Sequence, residues 1–336
     1  MEGKNPLVSN LTLEQQKNLF GNAYLNMLWY CPTDQRFSYW AHLPDSYYDE
    51  KNPDYRLMVI IHGTGCAVED YIREAKELAD QNHIAILAPL FPGGLIDHDD
   101  FNSYKLLSCD GIRYDQILLD MVEDMANRYP GIHTDRFFLF GHSGGGQFTN
   151  RFLFAHPDRL LAVSIGAPGR PTFLDLNEDY FWGVRDFKEY FGKSVDIEAV
   201  KQIPVQITVG ENDTKFIGDS PYGTNRVERM KSLQKNLEDW GVKTELQILP
   251  GFGHEGGERE RVRKSKESCT ILMLPLEDYA RKHSGLIRME SVTSAMRKEF
   301  YIGTSLLSLE PSIIIWEATE VCRQELSKQT MVACII

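Results

Sequence analysis

A chain of 336 residues with 42% hydrophobic and 25% charged residues has the size and composition of one soluble core with decoration. Its net charge of −12 argues against nucleic acid or an anionic membrane as a partner. It mildly disfavours strongly anionic substrates too, although local fields in a cleft can override a global sum.

Residues 11–31 read as an amphipathic helical lead-in, with Leu19, Tyr24, Leu25 and Leu28 among polar positions. Residues 37–43 alternate as an early antiparallel strand, ended by Pro44-Asp45. Arg56–Ile61 is the next strand, and it runs into His62-Gly63-Thr64-Gly65. Tyr71, Ile72, Ala75, Leu78 and Ala79 form a helical stripe, followed by a strand at Ile84–Ala88. Pro89–Arg113 is an insertion rich in Gly, Asp and aromatics. Its Asp97-His98-Asp99-Asp100 cluster reads as a solvated acidic loop, because nothing fixes a metal geometry. Ile117, Leu118, Met121, Val122 and Met125 mark a second helix.

The strand Arg136–Phe140 leads directly into Gly141-His142-Ser143-Gly144-Gly145, and Phe148, Phe152 and Ala155 follow at helical spacing. Strand, Gly-x-Ser-x-Gly and helix in succession are the context of a nucleophile elbow, where a sharp turn lifts one hydroxyl out of a sheet. Gly141, Gly144 and Gly145 supply the room. The bland alternative is a glycine-rich turn that packs or binds phosphate.

A strand at Leu160–Ile165 precedes a second insertion, Ala167–Gln202, carrying Phe173, Tyr180, Phe181, Trp182, Phe187, Tyr190 and Phe191. That aromatic density suggests an apolar or aromatic acyl site, although most of the rings must serve packing. The strand Pro204–Val209 ends in Gly210-Glu211-Asn212-Asp213-Thr214. A serine nucleophile needs a base, and the base an orienting acid. Asp213 is the candidate acid, with Glu211 the fallback if the turn is shifted. Val227, Met230, Leu233, Leu237 and Trp240 give a helix closed by Gly241. The strand Thr244–Leu249 then enters a glycine-rich loop holding His254, the candidate base. Backbone N–H groups of Thr64 and Gly144 are the candidate oxyanion donors, with Gly65 replacing Thr64 if the register moves by one. His62 is expected to pack under its loop and hold it by hydrogen bonds, and Cys66 to pack.

Strands alternating with helices mean a mainly parallel sheet covered on both faces. The six cysteines (Cys31, Cys66, Cys109, Cys269, Cys322 and Cys334) form no Cys-x-x-Cys pair, so structural zinc is not expected. No Gly-x-Gly-x-x-Gly follows the first strand and no P-loop occurs, so no nucleotide cofactor is implied. Residues 1–10 show no signal-peptide pattern and no apolar run would span a membrane, so the expected location is cytoplasmic. Glu258–Glu267 is a charged run, Leu276–His283 a weak candidate for a final helix, and 285–336 an extension without clear period.

From about Tyr39 to His254 the chain resembles an α/β-hydrolase. Within that superfamily it is similar to the polyhydroxybutyrate-depolymerase-like and feruloyl-esterase-like serine hydrolases. The carrying residues are His62-Gly63-Thr64-Gly65, Gly141 to Gly146, Val209 to Thr214 and Gly253-His254-Glu255. The resemblance implies a hydrolase domain over 37–284, preceded by the lead-in 1–36, with 167–202 as a small cap over the pocket. It implies ester cleavage through Ser143, His254 and Asp213 and an acyl-enzyme, with no metal or cofactor. Gly65, Phe91 and Trp182 are the candidate substrate contacts, the substrate a small-molecule ester, and homo-oligomerisation is left open. An acyltransferase, thioesterase or cyclising enzyme would use the same triad. A non-catalytic ligand-binding protein of this fold is the alternative from another class.

Overall fold

In the computed structural model, which describes residues 11–49 and 54–254, the apolar runs become strands of one eight-stranded sheet. In chain order these are β1 (Asn26–Tyr30), β2 (Ser38–His42), β3 (Tyr55–Ile61), β4 (Ile84–Leu90), β5 (Ile132–His142), β6 (Leu160–Gly166), β7 (Val205–Gly210) and β8 (Thr244–Leu249). Their order across the sheet is β1-β2-β4-β3-β5-β6-β7-β8. β2 pairs antiparallel with β1 and with β4, and every other pairing is parallel. The helices are α1 (Leu13–Phe20), α2 (Val68–Asn82), α3 (Tyr114–Arg128), α4 (Gly144–Ala155), the short α5 (Phe187–Phe191) and α6 (Ile197–Val200), and α7 (Arg226–Asp239).

Alternation within β3 and β5 divides the core between the two faces. Leu57, Val59 and Ile61 join Phe137 and Leu139 on one side, while Met58 and Ile60 join Phe138 and Phe140 on the other. Burial on both faces is why these strands read as continuous apolar runs rather than as alternating ones. The first face is covered by α3, α4 and α7, through Leu118, Met121, Phe148, Phe152, Met230 and Leu233. The second is covered by α2, through Ala75, Leu78 and Ala79. Each fully buried Leu or Phe contributes about 1.5–3 kcal/mol. A one-residue slip of β3 would exchange the faces of the whole strand and mismatch side-chain volumes in both clusters, which opposes it.

That register sets up one edge of the molecule. Ile61 lies opposite Gly141, His142 opposite Gly166, Gly166 opposite Thr208, and Gly210 opposite Leu249. The carboxyl ends of β3, β5, β7 and β8 therefore end together. The loops that leave them carry Thr64, Ser143, Asp213 and His254.

The lead-in differs from the helix expected over 11–31. Thr12 and Gln15 form a reciprocal capping box at the start of α1, and Gly21 ends it at φ +57°. Residues 26–30 then extend as β1. Their alternation favours a strand, because Trp29 points inward while Leu28 and Tyr30 stay exposed. Trp29 donates its indole N–H to Tyr129 Oη at 2.9 Å, beneath the Arg128 guanidinium. The helix over Val227–Trp240 ends as expected at Gly241. Gly241 N–H bonds Glu238 O and Val242 N–H bonds Leu237 O, the paired bonds of a Schellman cap. In the first insertion, Asp97 and Asp99 close on either side of the exposed His98. Among the described residues, no helix is long and apolar enough to cross a membrane. The charged run Glu258–Glu267, the candidate helix Leu276–His283, the extension 285–336 and Cys269, Cys322 and Cys334 lie outside the described residues.

One buried charge cluster pins α3 to α4. Asp115 is fully buried and accepts from Arg113 at 2.8 and 2.6 Å and from His156 Nε2 at 2.7 Å. Burial alone would raise its pKa, but the hydrogen bonds from His156 and Arg113 and their charges prevail and hold it at about 2. The depressed pKa means that the unfolded chain binds the extra proton first. The cluster's contribution, about 2 kcal/mol, is therefore present above pH 4 or so and lost as pH falls towards 2. Asp115→Asn is expected to destabilise the fold by about 3 kcal/mol at neutral pH, because it leaves Arg113 without its buried partner. The penalty should shrink on acidification. Urea unfolding at neutral pH and near pH 3 checks both statements, and equal penalties at the two would contradict them.

Candidate active site

Ser143 sits at the turn from β5 into α4 with φ +57° and ψ −110°, a region that side-chain-bearing residues rarely adopt. Two backbone bonds hold it there. Ser143 N–H donates to Gly166 O at 2.8 Å, and Gln147 N–H donates to Ser143 O at 3.1 Å. A side chain at Gly145 would strike the carbonyl oxygens of Ile61 and His62, so only glycine lets α4 start this close to the β3 loop.

The loops after β7 and β8 are stitched together before they present side chains. Glu211 N–H bonds Leu249 O at 2.9 Å and Asn212 N–H bonds Phe252 O at 2.7 Å. Gly251 N–H returns the favour to the Glu211 carboxylate at 3.0 Å. Glu211 thus braces the loop and is spent there, while the next acid along faces inward. His254 Nδ1 lies 2.6 Å from Asp213 Oδ2, and His254 Nε2 lies 3.0 Å from Ser143 Oγ. With Asp213 ionised, Nδ1–H must donate to it, which leaves Nε2 free to accept the Ser143 hydroxyl proton.

Asp213 is buried, and its other oxygen faces Arg226 Nη1 at 3.4 Å. Burial works to raise its pKa, but the hydrogen bond from His254 and the charges of His254 and Arg226 hold the carboxyl below its usual range. The His142 ring stacks on His254 at 5.2 Å. Burial, and then the charge of His254, push the His142 pKa down to about 3, so this neighbour stays neutral near pH 7.

The β3 loop closes the other side. A Cβ on Gly144 would stand 3.0 Å from the Thr64 nitrogen, so the N–H groups of residues 64 and 144 are close neighbours. Neither donates to an acceptor among the described residues. His62 pins this loop: Nδ1–H donates to Gly63 O at 2.6 Å, Nε2 accepts Phe91 N–H at 3.0 Å, and Tyr104 Oη–H donates to His62 O at 3.1 Å. Burial holds the His62 pKa at about 4, so the neutral ring that Nε2 requires is the form present. Burial also raises the Cys66 thiol pKa, which keeps it protonated and suits the packing role.

Ser143 and Thr64 open onto a cavity of about 410 Å³. Its polar walls are Asn102, Lys105, Gln147, Arg151, Arg170 and Arg226, and its apolar ones Leu106, Phe181 and Ile217. The apolar or aromatic acyl site expected from the second insertion gives way here to a basic one. The reason is that the rings other than Phe181 are consumed in packing. Phe173 stacks on Tyr222 at 3.6 Å, and Tyr180 packs edge-on against Phe187 and Phe191. Phe91, Trp182 and Gly65 do not line the cavity either. Phe91 is fully buried against Phe148 and Tyr104, and Trp182 lies against Tyr222 and beneath the Arg229 guanidinium. Gly65 is exposed in its turn.

None of the polar wall residues stands out in the sequence as a site residue. Gln147 and Arg151 carried a usable signal, since 143, 147 and 151 are spaced by four and fall on one helix face. Lys105, Arg170 and Arg226 come from three separate segments, and nothing local marks them.

The fold resembles that of a poly(3-hydroxybutyrate) depolymerase from Bordetella parapertussis, with a TM-score of 0.59 and 19% identity over 86% of this chain and 99% of that one. It also resembles poly(aspartic acid) hydrolase-1 from Sphingomonas sp. KT-1, with a TM-score of 0.56 and 19% identity over 70% and 93% of the two chains. A ferulic acid esterase gives 0.54 and 15% over 76% and 97%. No protein-family model and no curated protein sequence matches the chain. At these identities the likeness is one of fold, and the fold is that of the α/β-hydrolases, as the strand order and the mainly parallel sheet require.

Gly210 tests the stitching of the two loops. A Cβ there would stand 2.5 Å from Phe252 O, and it would also meet Gly253 O. Gly210→Ala should therefore push the His254 loop away and destabilise the fold by about 1–3 kcal/mol, the usual cost of overpacking. An unchanged urea midpoint would show that the loops are not in this contact.

Proposed function

We propose that this α/β-hydrolase-fold protein is a serine hydrolase that cleaves a carboxylic ester of a small molecule through an acyl-enzyme. The observation that carries the reading is the unbroken run of hydrogen bonds from Ser143 through His254 to Asp213, opening on a cavity. A ferulic acid esterase and a poly(3-hydroxybutyrate) depolymerase among the fold relatives support the reaction class.

In the first half-reaction Ser143 Oγ attacks the ester carbonyl carbon as His254 Nε2 takes the hydroxyl proton. The carbonyl π pair moves onto oxygen, and the N–H groups of Thr64 and Gly144 receive that oxyanion. Each such donor accounts for roughly 10²–10³ in rate in comparable sites. Collapse breaks the bond to the leaving oxygen, and His254 Nε2–H returns the proton to it. In the second half water attacks the acyl carbon, His254 again takes the proton, and Ser143 leaves with it restored. Asp213 holds the ring in the Nδ1–H tautomer and stabilises the imidazolium without itself being protonated. The strained backbone of Ser143 keeps its hydroxyl presented before substrate arrives, so little reorganisation remains to be done at the moment of attack.

A fluorophosphonate probe should label wild-type protein at Ser143. Ser143→Ala should abolish labelling and lower hydrolysis of short para-nitrophenyl esters by more than about 10³-fold, with the thermal midpoint little changed. A variant that kept wild-type turnover would remove the mechanism.

A further inference from the structure

We infer that the cavity beside Ser143 is built to hold a carboxylate, so that the ester cleaved there carries this anionic group within reach of its reacting carbonyl. The inference rests on the serine-hydrolase reading for its chemistry, but not for the charge of the cavity.

The walls contain Lys105, Arg151, Arg170 and Arg226 and no Asp or Glu, in a chain whose net charge is −12. Several arginines elsewhere in the fold have carboxylate partners, as in Arg36–Asp34, Arg113–Asp115 and Arg128–Asp124, while Arg136, Arg159 and Arg229 donate to backbone carbonyls. Among the described residues the cations of the wall have no carboxylate partner within ion-pair distance, apart from the long contact of Arg226 with Asp213. Among the described residues, therefore, no acid is placed to neutralise this concavity.

Arg151 shows that the positive surplus is structural. It is fully buried, and its guanidinium donates to three neutral oxygens: Thr172 Oγ1 at 3.0 Å, Lys105 O at 2.6 Å and Arg170 O at 2.8 Å. A buried cation without a counter-charge is costly. This one gains no ion pair, yet it ties together the two segments that carry Lys105 and Arg170. The guanidinium carbons of Arg151 and Arg170 lie 5.4 and 6.0 Å from the centre of the Phe181 ring, so one aromatic ring gathers both.

The donors left over define the ligand. Lys105 Nζ has one acceptor, Asn102 Oδ1 at 2.7 Å, and an ammonium has three protons to give. Burial, and then the charge of Arg151, lower the Lys105 pKa to about 8, which still leaves it mainly protonated at neutral pH. The exposed Arg170 guanidinium donates to no acceptor among the described residues. One planar fork and one ammonium match the two coplanar oxygens of a carboxylate better than the three oxygens of a phosphate dianion. An anion placed there would relieve the mutual repulsion of the three cations, and it would sit in the same cavity as Ser143 Oγ.

The test compares esters that differ in charge and little else. On the acyl side, para-nitrophenyl hydrogen adipate is set against para-nitrophenyl hexanoate. On the alcohol side, para-carboxymethylphenyl butyrate is set against para-isopropylphenyl butyrate. In one of the pairs kcat/KM should favour the anion by about 10- to 100-fold, the yield of one or two charge-assisted hydrogen bonds. The advantage should shrink towards 1 M salt, where screening reaches about 3 Å. It should fall towards unity in Arg170→Gln, a substitution at an exposed side chain, and persist in part in Arg170→Lys. Lys105→Gln should act in the same direction. Neutral esters preferred in both pairs, or a preference indifferent to both Gln variants, would overturn the inference. Calorimetry of para-nitrophenyl hydrogen adipate with Ser143→Ala reads the cavity without turnover. Salt-sensitive binding there, with no ester cleavage by the wild type, would overturn the hydrolase reading and keep this one. Cleavage of neutral esters without any charge preference would do the reverse.

Discussion

The parallel hydrogen-bond register of β3, β5, β6, β7 and β8 is the constraint on which everything else in this molecule depends. Parallel strands that end level send their following loops off in the same direction. With Ile61 opposite Gly141, His142 opposite Gly166 and Gly210 opposite Leu249, the residues at 64, 143, 213 and 254 come to one edge from distant parts of the chain. The register in turn is held by close packing in the two-faced core, since exchanging the sides of Val59 and Ile60 would mismatch side-chain volumes in both clusters. A local contact then refines what the register allows. The bond between Asn212 N–H and Phe252 O brings the acid and base loops together, and glycine at 210 leaves the space for it.

Charge is arranged against the overall balance of the chain. Among the described residues no Asp or Glu lines the wall next to Ser143, which is left positive in a chain of net charge −12. Arg226 stands at the boundary between the two regimes. It faces Asp213 at 3.4 Å and also lines the cavity, so it links the carboxylate hydrogen-bonded to His254 with the basic wall. In a low-dielectric concavity a few fixed cations outweigh a distant net charge, because interaction energy falls with separation and is screened by solvent. The global sum is thus a poor guide to what this site accepts.

How much of this could be read from the residues depends on the range of the signal. The elbow was legible because strand, Gly-x-Ser-x-Gly and helix are contiguous. The loops of Asp213 and His254 were legible because each follows a recognisable strand. The sequence favours Asp213 and keeps Glu211 as the fallback, since both lie in the same five-residue turn; in the fold Asp213 faces His254, and Glu211 accepts from Gly251 N–H. The stretch 26–30 was read as helix because a short run of Met, Leu, Trp and Tyr fits either period, and only its pairing with β2 decides. Phe91 and Trp182 misled for a related reason. A count of rings does not separate those that pack a segment from those that line a cavity. Lys105, Arg170 and Arg226 were invisible, because three unrelated segments meet only in the folded chain.

The central claim is that Ser143, His254 and Asp213 act as one relay held by the sheet edge. The most direct measurement is kcat/KM for an activated ester in Asp213→Asn beside Glu211→Gln. Asp213→Asn should cost about 10²–10⁴-fold, because the amide favours the wrong His254 tautomer. Glu211→Gln should remain within a few-fold of wild type, since its carboxylate only braces Gly251. Equal losses in the two variants, or the larger loss at Glu211, would contradict the account.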